Sequence, residues 1–219
     1  MTVGEEGTTG FHLLGSGPDH RRITDALHDL FAGDGTIYLV VGFFTYNGYR
    51  AIREDIIAFL ERSSENRLTV VVGPASDQFS PKIAQDLWGL DAAEQVDIYK
   101  YVRGLHAKLY LRDGPHPRLI LGSANLTQVG FRYNLELGVE IVGADTTDHS
   151  IQPFLEWVRD LVERSEPIRR VDLLFPMPML HSTINWTNKA RLLPPRYVAK
   201  RLAPLFVLLL GVAILARII

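Results

Sequence analysis

The segment Thr36 to Phe44 (TIYLVVGFF) constrains the fold more than any other. A near-continuous apolar strand must be covered on both faces, whereas a strand with one wet face alternates. Its surroundings supply the cover. From Asp19 to Phe31, Ile23, Leu27, Leu30 and Phe31 fall at helical spacing before Gly33-Asp34-Gly35 stops the pattern. From Gly48 to Arg62 the spacing returns at Ile52, Ile56, Phe59 and Leu60. A second apolar strand, Leu68 to Val72, closes on Gly73-Pro74, and Pro81 to Leu90 is a short helix carrying Ile83, Leu87 and Leu90. This alternation predicts an α/β fold, an α-β-α sandwich around a mixed, largely parallel central sheet. Further strands are expected at Val96 to Tyr101, Leu105 to Arg112, Arg118 to Leu121 and Tyr133 to Val142. A last helix, about Ile151 to Arg164, carries Phe154, Trp157, Val158 and Leu161.

The 219 residues suit one such domain with an appendage, and the charge distribution locates the boundary. Residues 1–166 hold 15 Lys and Arg against 24 Asp and Glu, a net −9, while residues 167–219 hold 8 against 1, a net +7. The formal charge of −2 is therefore the average of an acidic body and a basic tail. Residues 167–201, with Pro176, Pro178, Pro194 and Pro195, predict an irregular basic stem. Residues 202–219 include the uncharged run Leu202 to Ala216 and predict a C-terminal hydrophobic helix. It is apolar all round, and Arg191, Arg196, Lys200 and Arg201 precede it as a positive-inside flank would, so it reads as a membrane anchor. Burial of the same helix in an oligomer is the other reading. The N-terminus has neither the basic nor the apolar region of a secretory signal, so the body is expected to be cytoplasmic. The absence of cysteine excludes disulfide scaffolds, thiolate metal sites and a cysteine nucleophile.

Between Leu105 and Asp113 (LHAKLYLRD) the pattern alternates strictly. Leu105, Ala107, Leu109 and Leu111 share one face and His106, Lys108, Tyr110 and Arg112 the other, while Asp113 has the opposite parity to His106. Gly114-Pro-His-Pro117 turns the chain into a hairpin whose return strand ends in Gly122-Ser-Ala-Asn125, with a hydroxyl and an amide at the strand end. Asn134, Glu136 and Glu140 then alternate with Leu135, Leu137, Val139 and Ile141. No donor spacing typical of a metal site surrounds the carboxylates, so neither metal nor cofactor is expected.

His106-x-Lys108-x4-Asp113, Gly122-Ser-x-Asn125 and Asn134-x-Glu136, in this order, resemble the HKD signature of the phospholipase D superfamily, in its nuclease-like branch. The resemblance implies that His106 is the nucleophile forming a phosphohistidine. Lys108 and Asn125 would donate to the non-bridging phosphate oxygens, with Ser123 supporting them. Glu136 would hold the other imidazole nitrogen, and Asp113 and Gly122 would be structural. The residues suit that chemistry, since a neutral imidazole nitrogen attacks phosphorus and fixed donors stabilise the charge that develops on its oxygens. Tyr110 and Arg112 are expected to border the site or line a dimer interface, and Lys108, Arg112, Arg118 and Arg132 to offset the acidic body around the cleft. Members of the family pair two such motifs, and His12, His20, His28, His116, His149 and His181 all lack a lysine two residues on. A homodimer sharing its active site is therefore implied, with His106 of a second copy as general acid. The implied activity is that of a metal-independent phosphodiesterase, an endonuclease on DNA or RNA. A membrane-anchored phospholipid-cleaving or phosphatidyl-transferring enzyme is the alternative.

Overall fold

The computed structural model describes residues 9–15, 20–73, 79–90, 92–143, 145 and 149–169. The chain divides into two units, Met1–Leu173 and Leu174–Ile219, and every described residue belongs to the first. The expected anchor at 202–219 and nearly all of the stem at 167–201 lie outside the described residues. Among the described residues no helix is long and apolar enough to cross a membrane.

Eight strands form one open sheet. In chain order they are β1 (Gly10–Gly15), β2 (Thr36–Val41), β3 (Arg67–Val72), β4 (Val96–Lys100), β5 (Lys108–Asp113), β6 (Arg118–Gly122), β7 (Leu137–Val142) and β8 (Glu166–Pro167). Across the sheet they run β1-β7-β6-β5-β2-β3-β4-β8. The helices are α1 (Ile23–Phe31), α2 (Tyr46–Arg62), α3 (Pro81–Trp88), α4 (Gln128–Arg132) and α5 (Gln152–Glu163). Three layers result. Ile37 and Leu39 of β2, with Val70 and Val72 of β3, pack against α1, α2 and α3 in one core, and Val40 and Val71 from the same strands pack with Leu155 and Val158 of α5 in the other. The unbroken apolar run in β2 has this two-sided burial as its cause.

The sheet is mixed, but the expectation that it is largely parallel is corrected. Only β2–β3 and β3–β4 pair in parallel; the other five pairings are antiparallel. Parallel neighbours need a crossover of about a dozen residues or more. The helical crossovers end at β4, and β5 to β6 is a tight hairpin. The expected strand Tyr133 to Val142 is also shortened to Leu137–Val142, because the amides of Tyr133 and Asn134 both donate to the Val129 carbonyl, at 3.0 and 2.9 Å, and close α4 instead of joining the ladder. Strand β1 had no signal: only Leu14 is buried in it, and Phe11 and Leu13 are exposed on the sheet edge.

Candidate active site

The antiparallel order of β5, β6 and β7 is what assembles the site. Leu109 pairs with Leu121, Gly122 with Gly138, and Val41 at the end of β2 with Lys108. The start of β5, the end of β6 and the start of β7 therefore share one end of the sheet. There His106 to Lys108, Gly122 to Asn125 and Asn134 to Glu136 come together across about 30 residues of sequence. Two glycines permit the close approach. A Cβ on Gly122 would lie 2.8 Å from the Leu137 carbonyl oxygen, and one on Gly42 2.7 Å from that of Leu105.

His106 sits just before β5 with its side chain exposed, while Lys108 is buried and its Nζ donates to the His106 carbonyl at 2.7 Å. Burial holds the Lys108 ammonium below the ordinary lysine value, opposed by the Glu136 carboxylate. Two residues on, Tyr110 is fully buried and its hydroxyl donates at 2.6 Å to the carbonyl of Ala124, in the turn between Ser123 and Asn125. Burial pushes that phenol up, and Glu136 acts in the same direction. Asn125 Oδ1 accepts from Phe43 N at 3.2 Å, which fixes the amide with Nδ2 as its donor. Ser123 Oγ donates to Glu136 Oε2 and accepts from Leu137 N at 3.1 Å, and Glu136 Oε1 accepts from Asn134 Nδ2 at 3.0 Å. A cavity of about 540 Å³ opens over His106, Lys108 and Gly122, walled on its far side by Phe154 and Trp157 of α5. The two aromatic rings were not expected at the site, since their helical spacing reads equally as core.

Asp113 points away from this cluster and accepts from Arg159 of α5 at 3.0 Å. Several expected neighbours lie elsewhere. Tyr110 is core, and Arg112 is buried with NH1 donating to the carbonyls of Asp29 and Leu30 at 2.9 and 2.6 Å, so it closes the C-terminus of α1. Arg118 is paired with Glu140, which is fully buried and also lies 2.9 Å from Arg21 Nε. Neither arginine offsets charge at the cleft; Arg132 is exposed. Glu136 precedes β7, so it does not share a strand with Glu140. Among the described residues no cluster of three or more His, Cys, Asp or Glu is placed to hold a metal ion.

Residues 20–158 match the family described as cardiolipin synthase, PLD-like domain. The chain belongs to this phospholipase D-like family. No curated protein sequence matches it. Among the solved structures that share the fold are three with TM-scores above 0.5. Nuc from Salmonella typhimurium, a phospholipase D family member, has a TM-score of 0.58 at 17% identity, covering 74% of this chain and 99% of its own. NucT from Helicobacter pylori has a TM-score of 0.56 at 16% identity, covering 74% and 100%. Phosphatidylserine synthase from Haemophilus influenzae Rd KW20 has a TM-score of 0.56 at 15% identity, covering 73% of this chain but 40% of its own.

Proposed function

We propose that this phospholipase D-like chain is a metal-independent phosphodiesterase of the nuclease type, working through a phosphohistidine on His106. The observation that carries the reading is the meeting of an exposed imidazole with a buried lysine and a fixed amide donor at one sheet end. An imidazole nitrogen of His106 attacks phosphorus and the bond to the leaving oxygen breaks. Lys108 Nζ and Asn125 Nδ2 donate to the non-bridging oxygens, where charge develops. Glu136, held by Ser123 and Asn134, orients the imidazole. Water then attacks the phosphohistidine and releases the histidine.

The leaving oxygen needs a proton, and the sequence holds one His-x-Lys pair. The second acid is His106 of another copy, in a two-fold symmetric homodimer. Support for a covered rim comes from Leu135 and Leu137, exposed on either side of Glu136, and from Trp157, exposed beside His106. Size favours a compact nuclease: the chain spans nearly the whole of Nuc and NucT but less than half of the synthase. A phospholipid-cleaving or phosphatidyl-transferring enzyme is the second reading, favoured by the family description and by the fold shared with that synthase.

The test compares wild type with His106→Ala on single-stranded DNA, RNA and anionic phospholipid. Nucleic-acid cleavage lost in the variant is expected; phosphatidic acid release without nuclease activity overturns the first reading. Mixing the two proteins checks the shared site: activity strictly proportional to the wild-type fraction refutes it.

A further inference from the structure

Most arginines of the body are consumed internally. Arg21, Arg53, Arg62, Arg118, Arg159 and Arg164 are in ion pairs. Arg22, Arg50 and Arg132 are exposed, have no ion-pair or side-chain hydrogen-bond partner among the described residues, and line a single groove. They come from three elements: the N-cap of α1, the first turns of α2 and the last residue of α4. Arg103 is likewise exposed and unpaired but lies outside the groove; the three arginines from separate elements give an acidic body a local positive field in the groove.

The groove measures about 480 Å³, in the range of a small-ligand site, and Gln128, Asn47 and Thr24 make its wall polar. It adjoins a second cavity of about 540 Å³, and Arg22, Phe131 and Arg132 line both. That second cavity reaches Glu136 and Gly138 at the edge of the candidate active site, and Tyr133, largely exposed, stands in it. Glu136 is the one carboxylate among the lining residues of either cavity, and Ser123 and Asn134 already engage it. His28 on the far rim is held by Asp55 at 2.7 Å.

We infer that this groove binds the backbone of a single-stranded nucleic acid leading into the active site, with Arg22, Arg50 and Arg132 on successive phosphates and Tyr133 stacking on an unpaired base. The inference rests on the nuclease reading and adds the strand state of the substrate. Three unpaired arginines lining one groove, with Thr24, Asn47 and Gln128 in its wall, suit a polyanion, and the exposed Tyr133 ring in the adjoining cavity suits bases with a free face. A lipid would need an apolar channel for its chains; in the groove that holds all three arginines only Ala51 and Phe131 are apolar, and Leu14, Ile23 and Leu137 line the adjoining cavity, so phosphatidylglycerol vesicles are the competing probe.

Binding is measured in the His106→Ala background, so that no probe is cut, as fluorescence anisotropy of a labelled oligothymidylate across a salt series. Each phosphate contact contributes a slope of about 0.7 in log affinity against log salt for a single strand. Arg22→Ala/Arg50→Ala/Arg132→Ala should therefore flatten the slope by about 2. Should the triple variant fail to fold, each single variant should flatten it by about 0.7. Tyr133→Ala should weaken binding roughly ten-fold at unchanged slope. A duplex probe should bind more weakly than the single strand. An unchanged slope, equal affinity for the duplex, or arginine-dependent binding to phosphatidylglycerol vesicles and not to the oligonucleotide each overturns the inference. Hydrolysis of a small aryl phosphodiester by wild type and His106→Ala tests the catalytic reading separately: if the variant is as active as wild type, that reading fails whatever the groove binds.

Discussion

Replacing Tyr110 by phenylalanine deletes one oxygen atom and leaves the packing of the ring in place. In the structure that oxygen donates at 2.6 Å to the Ala124 carbonyl, and both residues are fully buried. The variant loses a net hydrogen bond of about 1 kcal/mol and leaves a buried carbonyl without its donor, for a total on the order of 2 kcal/mol. For a body of this size that lowers Tm by roughly 4–8 °C. The consequence for activity follows from position, because Ala124 lies between Ser123 and Asn125. Releasing the turn lets the amide and hydroxyl drift, and a misplacement of about 1 Å costs up to about a hundred-fold in rate. Urea denaturation followed by tryptophan fluorescence gives the stability change, and hydrolysis of a small phosphodiester gives kcat and KM. The expected pattern is a lower kcat with little change in KM, since transition-state donors are displaced. A loss below about 0.5 kcal/mol together with an unaltered kcat would refute the argument that Tyr110 braces the donor turn.

Lys108 must be protonated to donate to phosphate, and burial lowers its pKa, so its ammonium is lost at lower pH than in a free lysine. The alkaline limb of kcat should fall before the ordinary lysine value of about 10.4 is reached, and Lys108→Arg should move the limb upward; a profile flat beyond that value contradicts it. Glu140→Gln removes the counter-charge of Arg118 and Arg21 in a fully buried position and should cost on the order of 3 kcal/mol by denaturant titration. A loss under about 1 kcal/mol would show the pair to be solvated. Activity should survive EDTA in full, and a loss restored by one divalent metal would overturn the phosphohistidine mechanism.

The layers were legible because burial on two faces leaves a composition: β2 and β3 read as apolar runs, and α1, α2 and α5 as amphipathic stripes. The strand order was not legible past β4, since periodicity reports which face a residue takes and says nothing of which neighbour its strand acquires. The parity of β5 was legible: Leu109 and Leu111 enter the core under α5, and Tyr110 enters the opposite one. Parity alone misplaced Arg112, because a shared face need not share a depth. Four residues along the strand from Lys108, Arg112 has reached the C-terminus of α1 at the opposite end of the sheet.

Charge is where sequence and structure diverge most, and the reason is pairing. Arg21 and Arg22 are adjacent and identical in kind, yet Arg21 lies 2.9 Å from buried Glu140 and Arg22 faces the groove. Arg118 was expected to favour phosphate and is spent on the same glutamate, while Arg50 carried no signal and remains available. A net charge counts each of these equally, although a paired arginine contributes little field beyond a Debye length of about 8–10 Å. The field a phosphate backbone meets is set by the residue left over after the fold has paired its charges. In this chain the remainder is positive along one groove beside the candidate active site, so an acidic body and an anionic substrate are compatible. The same accounting limits affinity: a few arginine contacts imply a shallow salt dependence, and binding should be weak at physiological ionic strength away from the catalytic centre.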